Sequence, residues 1–140
     1  MPYQILKKIY FILISITSLL TGFSVYLIFR TNTYVSLLFT DFYFIIKIRE
    51  IFSKTDSIFL NCYFADFLWA LSLCSSLHSI FLPKTKGSLV CSIIVVIFGS
   101  FYELLQHLNI LNGTGDVYDI LMYTIAALTV NVINNFFKGE

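Results

Sequence analysis

Apolar residues fill four long blocks of the chain, and few polar side chains interrupt them. The blocks span approximately residues 9–29, 58–82, 88–105 and 117–137. At about 1.5 Å per residue, each block can form a helix that crosses roughly 30 Å of hydrocarbon. Polar residues inside the second and fourth blocks predict that one side of each of these helices faces protein rather than lipid. The pattern therefore predicts an all-α fold, a polytopic membrane bundle of four transmembrane helices.

The segment between the first two blocks, residues 31–57, has a different pattern in which charged residues alternate with aromatic ones. Its apolar positions recur at steps of three and four, and these are Leu37, Leu38, Phe42, Ile45 and Ile46. Such spacing is typical of an amphipathic helix that lies in the membrane interface. A fifth crossing is the alternative, but Lys47 and Arg49 cut the apolar run short. The sequence thus predicts one interfacial helix over residues 33–53, with both of these cations directed towards water.

Composition supports a membrane protein and excludes several other classes. Of the 140 residues, 58% are hydrophobic and 12% are charged, which is half the charged fraction of a soluble domain. The net charge of +1 offers no basic surface for nucleic acid. Cys62, Cys74 and Cys91 lack metal-site spacing and are expected to pack as small hydrophobic residues. His78, alone in its block, is expected to be a hydrogen-bonded structural residue. A single domain over residues 1–140 is predicted, without cofactor or metal.

The distribution of lysine and arginine residues predicts the orientation of the bundle. With four spans, the residues on the side of the two termini are Lys7, Lys8, Lys84, Lys86 and Lys138. Those on the opposite side are Arg30, Lys47, Arg49 and Lys54. The positive-inside rule gives most weight to short flanking segments and loops, and it then places both termini in the cytoplasm.

Polar side chains concentrate at one end of the predicted bundle, around a glycine-containing turn between the third and fourth blocks. The third block ends with Glu103, Gln106 and His107, and the fourth begins with Asp116, Asp119 and Tyr123. Gln106 and His107 follow Glu103 by three and four positions, and Asp116, Asp119 and Tyr123 follow one another at steps of three and four, so each set shares one helical face. Because the two helices are antiparallel, both faces lie at the same end of the bundle.

The second block contributes a further carboxylate, Asp66, to the same end, since this helix is antiparallel to the third. Asp66 lies about eight residues into the block, roughly 12 Å along a helix, where a carboxylate costs about 2–3 kcal/mol. Trp69 follows three residues later, and Arg30 ends the first block nearby. We therefore expect Asp66, Glu103 and Asp119 to converge within direct or one-water hydrogen-bond reach of at least one another.

Each of these residues also has a purely structural interpretation. Asp116 is placed to cap the fourth helix, and Asp119 to stabilise the positive end of its dipole. His107 is placed to cap carbonyl groups, while Trp69 fits an aromatic belt at the membrane surface. A buried pair of carboxylates can also serve only to fix helix packing. The sequence alone leaves these structural alternatives open.

The residues at this end of the bundle resemble a known family. The motif ELLQ at residues 103–106, followed by GTGDVYDILMY at residues 113–123, is similar to the last two helices of VanZ-like membrane proteins. The segment DFLW at residues 66–69 resembles an early helix of a related group. The resemblance covers about half of the chain. It implies a small bacterial cell-envelope protein in the plasma membrane, with a polar intramembrane site and no established reaction.

Three classes of function are compatible with this pattern. The first and favoured class is binding of a lipid headgroup, a lipid-linked envelope precursor or a partner membrane protein. The second is ion or proton handling by an oligomer, because carboxylates with histidine and glutamine can hold a hard cation or relay protons. The third is an enzyme in which paired carboxylates act on a lipid-linked substrate. The predicted site comprises Arg30, Asp66, Trp69, Glu103, Gln106, His107, Asp116, Asp119 and Tyr123.

Overall fold

The computed structural model describes residues 2–29, 39, 42–52, 62–82, 84–111, 113 and 115–137. Five helices form in chain order: α1 Pro2–Phe29, α2 Tyr43–Phe52, α3 Phe64–Phe81, α4 Thr85–His107 and α5 Val117–Phe136. Within the described part of the chain, four of them, α1, α3, α4 and α5, are long and apolar enough to cross a membrane. The predicted all-α bundle of four membrane-spanning helices with one shorter helix is confirmed.

The first helix begins earlier than the apolar pattern indicated, because α1 starts at Pro2 and contains the basic residues that precede the apolar block. Proline is favoured in the first helical turn, where its missing N–H would have no partner. Lys7 is only 8% exposed, so most of its aliphatic stem is covered by the bundle. The basic start of the chain is therefore part of the first helix rather than a separate flank.

The central element of the bundle is α3, which packs against α1, α4 and α5, while α5 also packs against α4. Small side chains allow this close packing, and the buried ones on α3 include Ala65, Ala70, Ser72, Cys74 and Ser75. On the facing side of α1, a Cβ added at Gly22 would lie 3.2 Å from the Cβ of Leu68. Inside a membrane, dispersion and hydrogen bonds hold helices together, so close backbone approach of this kind stabilises the bundle.

An apolar core lies midway along the helices and is lined mainly by small side chains. Its buried members are Phe11, Ala70, Cys74, Val95, Tyr123, Ala126, Ala127 and Val130. Large apolar residues such as Leu20, Ile97 and Leu128 are exposed on the outside of the bundle. A water-soluble protein would bury such side chains, whereas a bundle in hydrocarbon presents them to lipid.

The short helix α2 lies in the segment for which an interfacial helix was predicted. Its 10 residues rise by about 15 Å, too little to cross the hydrocarbon. Lys47 is exposed as expected, but the expectation that Arg49 points to water is wrong. Nε and Nη2 of Arg49 donate to the Leu27 carbonyl at 3.0 and 2.8 Å. That carbonyl lies in the last turn of α1, where intrahelical partners are lacking. The predicted positions Leu37 and Leu38 lie outside the described residues.

This topology predicts that the two termini lie on one side of the membrane and the connection between α4 and α5 on the other. Single cysteines introduced at Gln4, Asn109 and Glu140 in a cysteine-free background can be probed on intact cells with an impermeant maleimide. We expect Gln4 and Glu140 to react alike and Asn109 to react oppositely. Different labelling of the two termini, or identical labelling at all three positions, would contradict four spans.

Candidate functional site

Glu103 is the most buried carboxylate of the predicted set, with 4% of its surface exposed. It lies one turn before the end of α4, where Oε1 accepts a hydrogen bond from the Tyr123 hydroxyl at 2.7 Å. Its Oε2 accepts a second bond from the backbone N–H of Asp116 at 3.2 Å. Carboxylates form stronger hydrogen bonds than neutral oxygens when they are ionised. Glu103 therefore connects the end of α4 to two points of the following segment, Asp116 before α5 and Tyr123 within it.

Asp116 caps α5 and also connects it to the beginning of α3. Its Oδ1 accepts from the backbone N–H of Tyr118 at 3.0 Å, which confirms the N-cap interpretation. Its Oδ2 accepts from the Tyr63 hydroxyl at 3.2 Å. Desolvation, followed by this hydrogen bond, raises the pKa of Tyr63 above its ordinary value, so the phenol stays protonated and able to donate. Tyr63 was not singled out from the sequence, because a tyrosine within an apolar block carries no distinctive signal.

Asp66 and Asp119 add two further carboxylates at the same end of the bundle, since each lies in the first turn of its helix. Asp119 is 9% exposed and Asp66 is half-buried. The hydrogen-bond contact expected among Asp66, Glu103 and Asp119 stays a prediction, because the hydrogen bonds described above for Glu103 come from Tyr123 and Asp116. We call Tyr63, Asp66, Glu103, Asp116, Asp119 and Tyr123 the acidic cluster.

Asp66 lies in the first turn of α3 as the structure describes it, from Phe64 onwards. The depth expected for Asp66 depends on a span that begins near residue 58, and residues 58–61 lie outside the described residues. Asp119 likewise lies in the first turn of α5. The backbone N–H groups of a first turn carry positive partial charge, which stabilises a nearby carboxylate. Helix ends therefore offset much of the cost that a carboxylate at the middle of a span would incur.

Glycines allow α4 and α5 to approach closely enough for the Glu103 bonds to form. A Cβ added at Gly99 would collide with the Tyr123 ring, and one at Gly115 would lie 2.5 Å from the Glu103 carbonyl oxygen. Gly113 has a φ of +146°, a backbone conformation that residues with a side chain rarely adopt. Gly99 and Gly115 thus permit close contact between α4 and the following segment, and Gly113 permits the change of chain direction.

The remaining predicted residues lie at the edge of the acidic cluster or outside the described residues. Gln106 is half-buried beside Gly113, and the exposed His107 lies beside Gly115. Trp69 is 41% exposed, which fits an aromatic belt better than a place inside the cluster. Arg30 lies outside the described residues. The hydrogen bonds given above for Glu103 come from Tyr123 and Asp116, which both belong to the predicted site.

The acidic cluster can attract cations and accept hydrogen bonds. It brings four carboxylates and two phenols to one end of the bundle. Among the residues that the structure describes, no group of three or more histidine, cysteine, aspartate or glutamate side chains is arranged to hold a metal ion.

Comparison with known proteins gives no independent assignment. No family model, curated protein or solved structure matches this chain. The resemblance to VanZ-like proteins therefore stays a prediction from the motifs, and the interpretation of the acidic cluster depends on its geometry.

The Tyr123 hydroxyl predicts a measurable contribution to stability. Tyr123→Phe removes the donor at 2.7 Å from Glu103 and leaves a buried carboxylate oxygen without that bond. We expect the free energy of unfolding in micelles to fall by about 1–3 kcal/mol. Tyr102→Phe, at a position on α4 that is 45% exposed, is the matched control and should change stability little. Equal effects of the two substitutions would show that the bond to Glu103 contributes nothing specific.

Proposed function

We propose that this small multipass membrane protein binds the headgroup of a lipid or of a lipid-linked envelope precursor at the acidic cluster. The observation that carries the proposal is Glu103, a carboxylate 4% exposed and oriented by two donors from the start of the next span. Charged side chains near hydrocarbon are costly and, in membrane proteins, are commonly associated with function. A chain with only 12% charged residues places four carboxylates in this one region.

The position of the acidic cluster supports a headgroup as the ligand. Asp66 and Asp119 lie in first turns of their helices, and Glu103 lies one turn before the end of α4. These turns are at the ends of the candidate spans, which corresponds to the depth of the polar headgroup region. A ligand that stays anchored in the bilayer by its acyl or prenyl chains can reach this depth without leaving the membrane.

The charge of the acidic cluster restricts the chemistry of that headgroup. Carboxylates repel a bare phosphate, whereas ammonium and sugar hydroxyl groups donate hydrogen bonds to them. Ammonium groups gain additional Coulomb attraction, which is stronger near hydrocarbon than in water. The proposed ligand therefore presents an amine or several hydroxyl groups to the cluster. A partner membrane protein would have to present the same groups.

The cellular setting is part of the proposal. The resemblance to VanZ-like proteins supports a bacterial plasma membrane and a role in the cell envelope. The positive-inside rule supports cytoplasmic termini, which would orient the acidic cluster towards the outer leaflet. An outer-leaflet site would be accessible to lipid-linked precursors after their transfer across the membrane.

Glu103→Gln separates charge from shape at the acidic cluster. The amide oxygen can still accept from Tyr123, whereas the amide nitrogen cannot accept from the Asp116 N–H. We expect the bundle to fold without that one 3.2 Å bond, while affinity for an amine-bearing headgroup falls at least tenfold, or about 1.4 kcal/mol. The measurement is native mass spectrometry of protein in nanodiscs that contain phosphatidylethanolamine or phosphatidylglycerol, together with the lipids that co-purify from bacterial membranes. Glu50→Gln, at an exposed position of α2, is the control.

Retention of phosphatidylethanolamine by a folded Glu103→Gln variant would contradict a role for the carboxylate. A wild-type preference for phosphatidylglycerol would contradict selection by the negative charge of the acidic cluster. Loss of binding in Glu50→Gln to the same extent would show that overall charge, rather than the cluster, determines lipid retention.

A further inference from the structure

A second polar network lies on the other side of the apolar core from the acidic cluster. It joins His78 of α3, Ser88 and Ser92 of α4, and Asn131 of α5, and we call these four residues the His78 network. His78 has no exposed surface, and the two serines are 2% and 6% exposed. A histidine in such a position requires partners for both ring nitrogens.

The hydrogen bonds of the His78 network form a continuous chain across three helices. Nδ1 of His78 lies 2.8 Å from the Cys74 carbonyl oxygen, and Nε2 lies 2.7 Å from Oγ of Ser88. Ser88 in turn donates to Oδ1 of Asn131 in a short hydrogen bond. Nδ2 of Asn131 donates to Oγ of Ser92 at 2.7 Å.

The number of hydrogens in this chain determines the charge of the imidazole. Ser88 has one hydroxyl hydrogen, which it donates to Asn131, so Nε2 of His78 has to donate to Ser88. Nδ1 also has to donate, because the Cys74 carbonyl can only accept. A histidine that donates from both ring nitrogens is an imidazolium. In this arrangement His78 therefore carries a positive charge.

Rotation of the Asn131 amide by half a turn gives a second arrangement with one proton fewer. Nδ2 then donates to Ser88, and Ser88 donates to Nε2 of His78. The hydroxyl of Ser92 turns from the Ala127 carbonyl, to which it donates at 3.4 Å, and donates to Oδ1 of Asn131 instead. Nδ1 of His78 still donates to Cys74. His78 is then neutral, and every bond in the chain still has one donor and one acceptor. The amide oxygen and nitrogen have similar sizes, so the rotation requires little movement of the helices.

We propose that His78 and Asn131 form a proton-linked switch inside the membrane, in which His78 takes up one proton as the Asn131 amide rotates. One proton is taken up from water and forms the Nε2–H bond of His78. No other covalent bond is made or broken overall. The donor and acceptor roles of Ser88, Asn131 and Ser92 reverse. The proposal adds a proton-binding site to the headgroup site and does not depend on it.

The position of Asn131 connects this switch to the lipid-facing surface. Asn131 and Ser92 both line a groove between α4 and α5, with a volume of about 230 Å³, whose other lining residues are mostly aliphatic. Rotation of the amide exchanges donor and acceptor in the wall of this groove. Proton uptake at His78 therefore changes the hydrogen-bonding character of the groove wall at the position of Asn131.

Other titratable groups in the half of the bundle that contains His78 come from α1, α3 and α4. They are Lys7 of α1, Cys74 of α3, and Lys84, Lys86 and Cys91 of α4. Lys7 lies one turn before Phe11, whose ring centre is 5.3 Å from that of His78. From α5 the described residues contribute the amides of Asn131 and Asn134. The lysines oppose a further positive charge, whereas acceptors at both ring nitrogens favour it.

The switch predicts that the NMR signals of the His78 ring and of the Asn131 amide change together with pH. In ¹⁵N-labelled protein in nanodiscs, the ring nitrogens of His78 and the Nδ2 of Asn131 can be followed by NMR from about pH 4.5 to 8.5, the range in which an ordinary histidine changes charge. We expect both signals to shift with one common midpoint. His78→Gln should abolish the pH dependence of the Asn131 signal. His107→Gln, which changes the other of the two histidines, should leave it intact.

Ser88→Ala provides a second test that keeps both His78 and Asn131. It removes the hydroxyl between Nε2 of His78 and the Asn131 amide, so His78 should titrate while the Asn131 signal stays constant. In the wild-type protein, titration of His78 without a change at Asn131 overturns the proposal. A His78 ring that keeps one protonation state throughout, or an Asn131 signal that still titrates in a folded Ser88→Ala variant, also overturns it.

Discussion

Hydrocarbon offers no hydrogen-bond partners, so polar side chains within the spans have to find them inside the bundle. This constraint explains the central position of α3, which contributes to three sets of polar contacts. At one end its first turn brings Asp66 to the acidic cluster. In the middle, Ser72 pairs with Ser15 of α1, and towards the other end His78 pairs with Ser88 of α4. Apolar packing alone would leave these helices free to slide, whereas directional bonds fix their register.

The acidic cluster shows how local sequence and packing jointly determine a site. Gly99 leaves room for the Tyr123 ring, and Gly115 lets the chain pass over the end of α4. Tyr123 and the Asp116 N–H can then both reach Glu103. Because these two donors come from consecutive parts of one segment, Glu103 orders the turn and the next helix together. A carboxylate held in this way is oriented before any ligand arrives, which reduces the entropy lost on binding.

Much of the architecture could be predicted from the sequence, because length and hydropathy alone define a span. Antiparallel connectivity was enough to place Glu103, Asp116 and Asp119 at one end. The position of Asp66 within its helix was harder to predict, because apolar residues such as Phe59 and Leu60 extend the hydropathy pattern into a segment that lies outside the described residues. In the described part of α3, Asp66 lies in the first turn.

Partners were predicted less well than positions. The sequence predicted that Glu103 would lie within reach of another carboxylate, whereas its described hydrogen bonds come from a phenol and a backbone N–H. Backbone donors have no sequence signal at all. His78 was expected to be hydrogen-bonded, and it is. Its connection to Asn131 depends on the contact between α3, α4 and α5, because 43 positions separate Ser88 from Asn131.

The separation of the two polar regions bears on how they can communicate. Along α5, Asp119 and Tyr123 belong to the acidic cluster and Asn131 belongs to the His78 network, while Ala126, Ala127 and Val130 between them are in the apolar core. The hydrogen bonds given above for the described residues of these regions stay within one region or the other. Influence of one region on the other would have to pass through packing. A shift of α5 that accommodates a headgroup at Tyr123 would also move Asn131 relative to Ser88 and Ser92, and α5 is therefore the element through which the two regions would be coupled.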